Sequence, residues 1–202
     1  MATAKKMKRN TLFSAIITGV SFLYKLALGI YTQSLVLLIA SVSTLMLFIC
    51  KVVFVKDVMS TREKKKRSYF IMSLAALIYS AIFILFVVLK VNGIDVSKKN
   101  NYEGWLGLLF IGFVLLMFIL SIINLKGAYE KSDILLIGLK EMTFISALTD
   151  MVIIQTFIVR IILSFKDIEI LYTLDAYFPL AVGVFITIMS IRMMVKATKY
   201  EA

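Results

Sequence analysis

Long apolar stretches separated by short charged connections dominate this chain. Six stretches can be delimited, at residues 10–31, 34–55, 68–90, 105–124, 132–163 and 177–195. Each is long enough to cross a hydrocarbon core about 30 Å thick, which takes about 20 helical residues. They lack the alternating segments of roughly ten residues that mark a membrane β-barrel. The pattern therefore predicts an all-α polytopic membrane protein, with six transmembrane helices in a single domain over residues 1–202.

Three local features bear on the ends of the spans. The fifth span is over-long, so either its first turns lie near the interface or the helix tilts strongly or breaks. Pro179, the only proline, falls in the first turn of the sixth predicted span, where its missing N–H costs no hydrogen bond. Tyr31 and Tyr129 lie near span ends and are expected to act as interfacial anchors.

An eleven-residue segment occurs twice in the chain. Residues 29–39, GIYTQSLVLLI, return as residues 127–137, GAYEKSDILLI, with six identities and an offset of 98. Three spans fit within that offset, and an odd number of spans turns the second copy upside down in a membrane. The duplication therefore predicts an inverted 3+3 repeat, with repeat one at residues 10–90 and repeat two at 105–195, as in many transporters.

Basic residues lie mainly in alternate connections between the spans. If both termini are cytoplasmic, the inner side carries fifteen Lys and Arg residues and the outer side carries five. This is the bias that the positive-inside rule expects, so we predict cytoplasmic N and C termini in the cell inner membrane. The net charge of +11 then reflects membrane topology, and nucleic acid is not an expected partner.

The densest basic segment connects the second and third spans. It contains Arg62, Lys64, Lys65, Lys66 and Arg67. Each basic residue near a negatively charged leaflet gains on the order of 1 kcal/mol, so anionic lipid head groups are candidate partners. The simpler interpretation is a charge cluster that only sets topology.

Composition narrows the chemistry that the chain can perform. Hydrophobic residues make up 61% of the sequence and the mean hydropathy is +0.95, which exceeds the values of ordinary soluble domains. Histidine is absent and Cys50 is the only cysteine, which excludes an internal disulfide and a Ser-His-Asp site. The common phosphate-loop, dinucleotide and zinc-protease motifs are absent as well. We therefore expect neither an enzyme nor a cofactor.

Polar residues follow one helical face in three of the spans. These stripes consist of Thr11, Ser14, Thr18, Ser21 and Lys25 in the first span, Ser34, Ser41, Thr44 and Lys51 in the second, and Lys140, Thr143, Ser146 and Asp150 in the fifth. Polar faces avoid lipid, so spans one, two and five should line a shared interior. Span four would complete this bundle, with spans three and six to the side. Alternatively, the hydroxyl groups only bond back to their own helices.

Several ionisable residues fall within the spans, among them Lys25, Lys51, Lys140, Glu141 and Asp150. Each costs about 2.5–3.5 kcal/mol at membrane depth and usually finds a partner. At 1.5 Å per residue, Lys25 and Asp150 reach depths of roughly 22 and 27 Å, which predicts an ion pair between them. Lys51 and Glu141 both fall in the inner half, so they form a second candidate pair, unless Lys51 and Lys140 extend to the inner interface. Either pair could serve structure alone or an ion pathway.

The repeated Gly-x-Tyr-x-x-Ser-x-x-Leu-Leu segment, at residues 29–38 and 127–136, resembles the membrane domain of cation diffusion facilitators. The resemblance implies six helices with cytoplasmic ends, in which helices one, two, four and five form a bundle and helices three and six form a side pair. It also implies a homodimer. In that family, ligands for a divalent metal follow the repeated serine.

Those metal ligands do not carry over to this chain. The family's acidic or histidine ligands follow the serine by about six, nine and thirteen positions, which here hold Ala40, Ser43 and Leu47 in span two and Gly138, Glu141 and Ile145 in span five. Placing Ser146 and Asp150 on the family's His-x-x-x-Asp pair still leaves a ligand missing. A transition-metal site needs three or four converging ligands, so we expect no metal site.

Two further observations qualify the resemblance. Only about seven residues follow the sixth predicted span, so we expect no counterpart of the family's soluble C-terminal domain. Residues 122–126, 146–148 and 155–156 are also similar to small six-span bacterial membrane proteins that have no assigned activity.

Two hypotheses about function follow from these observations. The first is a transporter-like protein that moves a small ion or solute by alternating access. Its candidate pathway residues are Asp150 and Glu141 as charged contacts, Lys25 as their counter-charge, and Ser43, Thr44 and Ser146 as the neutral lining. The second hypothesis is a non-transporting scaffold, derived from a transporter fold, that binds a membrane partner through spans three and six.

Overall fold

The computed structural model describes residues 2–31, 34–92, 105–130, 133–165 and 169–199, which form six α-helices and, within these ranges, no strand. In a bilayer every backbone N–H and C=O group must be satisfied within the protein, and a continuous helix achieves this. The all-α prediction is therefore confirmed. The helices are α1 (Ala2–Tyr31), α2 (Leu35–Asp57), α3 (Arg62–Val91), α4 (Trp105–Glu130), α5 (Ile134–Phe165) and α6 (Glu169–Lys199).

Five of the described helices contain segments long and apolar enough to cross a membrane. These segments are Lys5–Tyr31, Leu35–Asp57, Arg62–Val91, Ile134–Leu163 and Thr173–Lys199. The remaining helix, α4, has 26 residues and covers the fourth predicted span. The over-long fifth span forms one continuous helix of 32 residues. A helix of this length exceeds the roughly 20 residues that a bilayer needs, so it tilts or extends beyond the hydrocarbon core.

Pro179 lies inside α6, which corrects the expectation that it occupies the first turn. The reason is that α6 begins at Glu169, upstream of the predicted start at residue 177. The proline ring has no N–H to donate to the carbonyl group of residue 175. One turn of α6 therefore lacks a helical hydrogen bond next to Asp175.

Helices α2, α3 and α5 form the centre of the bundle. Helix α2 packs against α1, α3 and α5, whereas α5 packs against α2, α3, α4 and α6, and α3 also packs along α6. Among the described residues, the backbones of α1 and α4 do not approach each other. The pairing of α3 with α6 agrees with the sequence analysis, but α3 is central, since Tyr69, Met72 and Tyr79 are fully buried.

Helices α3 and α5 approach each other closely at Gly138. A Cβ atom at this position would lie 2.6 Å from Cδ2 of Tyr69 and 3.1 Å from Sδ of Met72. Cβ atoms essentially never come this close to another side chain, so a glycine is required for the observed packing. The contact places the Tyr69 hydroxyl 3.0 Å from Oε2 of Glu141, one turn further along α5.

The two copies of the repeated segment have different surroundings, and residues 32–33 and 131–132 within them lie outside the described ranges. A Cβ atom on Gly29 would lie 3.0 Å from Cδ2 of Leu38, whereas no atom of the described residues lies within 4 Å of the same position on Gly127. Helix α2 begins with a Ser34 cap whose hydroxyl accepts from the Leu37 N–H. At the start of α5, the carboxylate of Asp133 accepts two backbone N–H groups instead.

We expect Gly138→Ala to destabilise the bundle by about 1–3 kcal/mol, because the added methyl group overlaps the ring of Tyr69. Gly127→Ala is the matched control, since its site is open and alanine favours a helix over glycine by about 0.5–1 kcal/mol. Thermal unfolding of the purified protein in detergent, followed by circular dichroism, measures both changes. Equal Tm values for Gly138→Ala and the unmodified protein would contradict the close α3–α5 contact.

Candidate functional site

A cavity of about 390 Å³ lies between α1, α2, α4 and α5, and we call it the four-helix cavity. Among the described residues the backbones of α1 and α4 make no contact with each other, and the cavity lies between these two helices and the α2–α5 pair. Val114 and Met117 form its α4 wall. Its polar lining consists of Ser14, Thr18, Ser21 and Lys25 on α1, Thr44 and Lys51 on α2, and Thr143, Ser146 and Asp150 on α5.

Lys25 and Asp150 form the ion pair that their similar depths predicted. Nζ of Lys25 lies 2.8 Å from Oδ1 of Asp150, which joins α1 to α5 across the cavity. The two side chains are 17% and 23% exposed, and both line the cavity. An ionisable group at membrane depth is costly when it is alone, so the two charges stabilise each other there.

Lys51 binds α1, and the hypothesis that it pairs with Glu141 is wrong. Its ammonium group donates to Oγ of Ser14 at 2.8 Å, to the Ser14 carbonyl at 3.3 Å and to Oγ1 of Thr18 at 2.5 Å. All three acceptors are neutral. Depth alone could not distinguish Glu141 from these groups, because it does not say which way each helix face points.

Glu141 lies outside the four-helix cavity, in contrast to its expected place in the pathway. Its side chain is 1% exposed, and its carboxylate accepts hydrogen bonds from the hydroxyl groups of Tyr69 on α3 and Tyr129 on α4. Arg192 and Lys196 of α6 lie over the ring of Tyr129, at 5.8 and 5.0 Å from its centroid. Glu141 therefore connects α3, α4 and α5, and Tyr129 takes part in this connection through its hydroxyl group.

The neutral candidates divide between the cavity and the helix core. Thr44 and Ser146 line the cavity, although the Thr44 hydroxyl donates back to the Ala40 carbonyl at 2.8 Å. Ser43 is buried, donates to the same carbonyl at 2.9 Å and lies beside the hydroxyl of Tyr79. Ser43 therefore belongs to the contact of α2 with α3 and does not line the cavity.

Sequence reasoning missed a second polar cluster, which joins α3, α5 and α6. Nζ of Lys90 lies 2.8 Å from Oδ1 of Asp175 and 3.1 Å from Oγ1 of Thr156. The Gln155 amide also donates to Asp175 at 3.5 Å, while its buried Oε1 has no hydrogen-bond partner among the described residues. Lys90 is the last residue of the third predicted span and is one of the five basic residues that the sequence analysis counts on the outer side. The opposite charges of Lys90 and Asp175 at adjacent span ends were the available signal.

Lys65 of the basic run is engaged by the protein itself. Nζ of Lys65 lies 2.7 Å from Oδ2 of Asp133, so it joins the start of α3 to the start of α5. Lys64 and Arg67 are exposed. Lys65 therefore has a structural role within the protein.

No group of three or more Cys, Asp or Glu side chains that could hold a metal ion occurs within the described ranges. Cys50 is buried in the core. In comparisons with protein-family models, curated proteins and solved structures, nothing matches this chain. Any functional assignment therefore rests on the geometry of the four-helix cavity.

The Lys25–Asp150 pair can be tested by a double-mutant cycle. We expect Lys25→Met and Asp150→Leu each to destabilise the protein by about 2–3 kcal/mol, because each leaves one charge unpaired within the membrane. The double variant should regain most of that loss. Unfolding by denaturant in mixed micelles measures the three values.

Lys65→Met is the matched control, because it removes a lysine from a pair at the helix ends, where a loss below about 1 kcal/mol is expected. Strictly additive effects of Lys25→Met and Asp150→Leu would contradict a direct interaction.

Proposed function

We propose that this chain is a transporter-like integral membrane protein that moves a small ion or solute through the four-helix cavity. The observation that carries the proposal is a cavity of about 390 Å³ in which charged and hydroxyl side chains stand among apolar ones, within apolar helices that are long enough to span a membrane. A water molecule occupies about 30 Å³ in the liquid, so the cavity has room for roughly a dozen waters or one small solute. Polar and charged groups at membrane depth commonly mark a transport pathway.

Lys25 and Asp150 are the proposed charged contacts of this pathway, and Thr44 and Ser146 belong to its neutral lining. Glu141 and Ser43 are not part of the proposed pathway, because both side chains face α3 and lie away from the cavity. Their proposed role is to hold the helices of the bundle together.

The helix contacts support an inverted repeat with alternating access. Helix α1 packs on α2 as α4 packs on α5, and α2 packs on α3 as α5 packs on α6. The α2–α5 and α3–α6 contacts would cross the pseudo-two-fold axis that such a repeat creates. The α3–α5 contact has no α2–α6 counterpart in the described residues, so the two halves differ in detail.

In the proposed orientation the protein spans the inner membrane of the cell, and both of its termini lie in the cytoplasm. The support for this orientation is the excess of basic residues on one side, fifteen against five. In this orientation Arg62, Lys64, Lys66 and Arg67 would face anionic lipid head groups, while Lys65 binds Asp133.

The likeness to cation diffusion facilitators remains part of the proposal. The packing of α3 along α6, and the cavity among the other four helices, agree with the arrangement that the likeness implies. The family's divalent metal is not the proposed cargo, since its ligand positions hold Ala40, Ser43 and Leu47 in α2. A homodimer is proposed on the likeness alone.

The alternative function is a non-transporting scaffold that binds a membrane partner. The observation that favours it is the ion pair between Lys25 and Asp150. Two charges that already neutralise each other do not need a bound ion to stabilise them within the membrane. Transport measurements separate the two functions.

The central test is a transport assay on the full chain in proteoliposomes, with a panel of anions and cations and a pH readout. We expect measurable flux of at least one solute, reduced about tenfold or more by Lys25→Met with Asp150→Leu, because the pair lines the pathway. Lys65→Met, outside the cavity, serves as the control. If the double variant folds and transports normally, the pair is structural only. No flux for any solute would favour the scaffold.

The proposed orientation is tested by cysteine labelling in intact cells. Cys50 is 1% exposed, so its own thiol should not react, and Cys50→Ala gives a background without any cysteine. Lys56→Cys places an exposed thiol at the end of α2, next to the start of α3, and Asn92→Cys places one at the far end of α3. A membrane-impermeant maleimide should label Asn92→Cys from outside and Lys56→Cys only after the cells are opened. The reverse pattern would contradict the orientation.

A further inference from the structure

The four-helix cavity carries an excess of positive charge. Lys25, Lys51 and Asp150 are the charged groups among its described lining residues, and Lys25 and Asp150 neutralise each other. We propose that Lys51 forms the binding site for a small monovalent anion, and that such an anion is the cargo. This inference rests on the proposed transport function and names its substrate class.

The hydrogen bonds of Lys51 favour an anion ligand. Within the described residues, Lys51 has no carboxylate in ion-pairing range, and its ammonium group donates to neutral oxygens of Ser14 and Thr18. Lys140 lies close enough to Lys51 to add its own positive field. A charge at this depth lacks the stabilisation that water would give, so an anion beside Lys51 would offset the cost.

The hydroxyl groups around Lys51 can donate to such an anion. Oγ of Ser14 accepts a hydrogen bond from Lys51, which leaves its own hydrogen directed away from the ammonium group. The hydrogen of Thr18 already goes to the Ser14 carbonyl at 2.8 Å. Ser21 and Ser146 line the same cavity, and within the described residues their hydroxyl groups have no hydrogen-bond partner in the protein. Ser14, Ser21 and Ser146 therefore supply the neutral donors.

The position of Asp150 makes the Lys51 end of the cavity more favourable for an anion than the Lys25 end. Lys25 lies seven to eleven residues beyond Ser14 and Thr18 along α1, which is about 10–16 Å. An anion near Lys25 would be repelled by Asp150, whereas no described carboxylate stands beside Lys51. A divalent cation would be disfavoured in the cavity. The carboxylate of Asp150 is already paired with Lys25, and the positive charge of Lys51 would repel the cation.

The test measures binding and flux separately on the full chain. For binding, the purified protein is unfolded thermally in sodium chloride, nitrate or acetate, with sodium gluconate at equal ionic strength as the reference, since gluconate is a much larger anion. We expect the three small anions to raise the Tm and Lys51→Met to abolish the increase. For flux, proteoliposomes are assayed with the same three anions and with potassium and zinc as cation probes.

We expect anion flux to fall about tenfold or more in Lys51→Met, a loss of about 1.4 kcal/mol or more, and to persist in Lys51→Arg. Lys56→Met is the matched control, because it removes an exposed lysine from the same helix outside the cavity. If Lys51→Met does not fold, Ser14→Ala replaces it and should weaken both readouts.

The outcomes distinguish failure of this inference from failure of the transport function. Cation flux that is unaffected by Lys51→Met, without anion flux, would overturn the anion site and leave transport standing. No flux of any probe would overturn transport, and the anion-dependent Tm would then decide the binding site alone. A Tm that does not depend on the anion, or depends on it equally in Lys51→Met, would contradict the site.

Discussion

Polar groups within a bilayer have no water to satisfy them, and this constraint organises the whole bundle. Most hydroxyl groups of the spans bond to a carbonyl three or four residues earlier in their own helix, as Thr143 bonds to Leu139 and Ser190 to Ile186. A lysine or a carboxylate cannot be satisfied so locally. These residues reach across to other helices, and their contacts define how the helices are arranged.

Several such contacts connect different helices of the bundle. Lys25 and Asp150 join α1 to α5, Lys90 and Asp175 join α3 to α6, and Glu141 joins α5 to tyrosines of α3 and α4. These contacts differ in importance, because some of the helices that they join also pack directly on each other and others do not. Helices α3, α5 and α6 also pack on one another, whereas α1 packs only on α2 among the described residues. The Lys25–Asp150 pair is therefore the main polar link between α1 and the second half of the chain.

The sequence could predict the helices and one side of the cavity, since apolar length and polar periodicity are local properties. Matching depths were sufficient for the Lys25–Asp150 pair. They were insufficient for Lys51 and Glu141, because two residues at one depth can face opposite sides of a bundle. The carboxylate of Glu141 is satisfied by tyrosine hydroxyl groups, which no charge-matching argument would find. Helix ends were uncertain as well, because α6 continues through weakly apolar residues 169–176 that composition assigned to a connection.

The offset of 98 residues shows where the two halves diverge. It relates Glu141 to Ser43, Thr149 to Lys51, and Ile123 to Lys25. Each of these charges thus corresponds to a neutral residue 98 positions away, so the sequence repeat does not extend to the charged residues. Ser43 and Thr149 both meet the hydroxyl of Tyr79, which satisfies neutral groups at the bundle centre. Glu141 is satisfied by tyrosines and Asp150 by a lysine, whereas Lys51 has only neutral described partners. Among the described residues no carboxylate neutralises the positive charge of Lys51, and a bound anion would neutralise it.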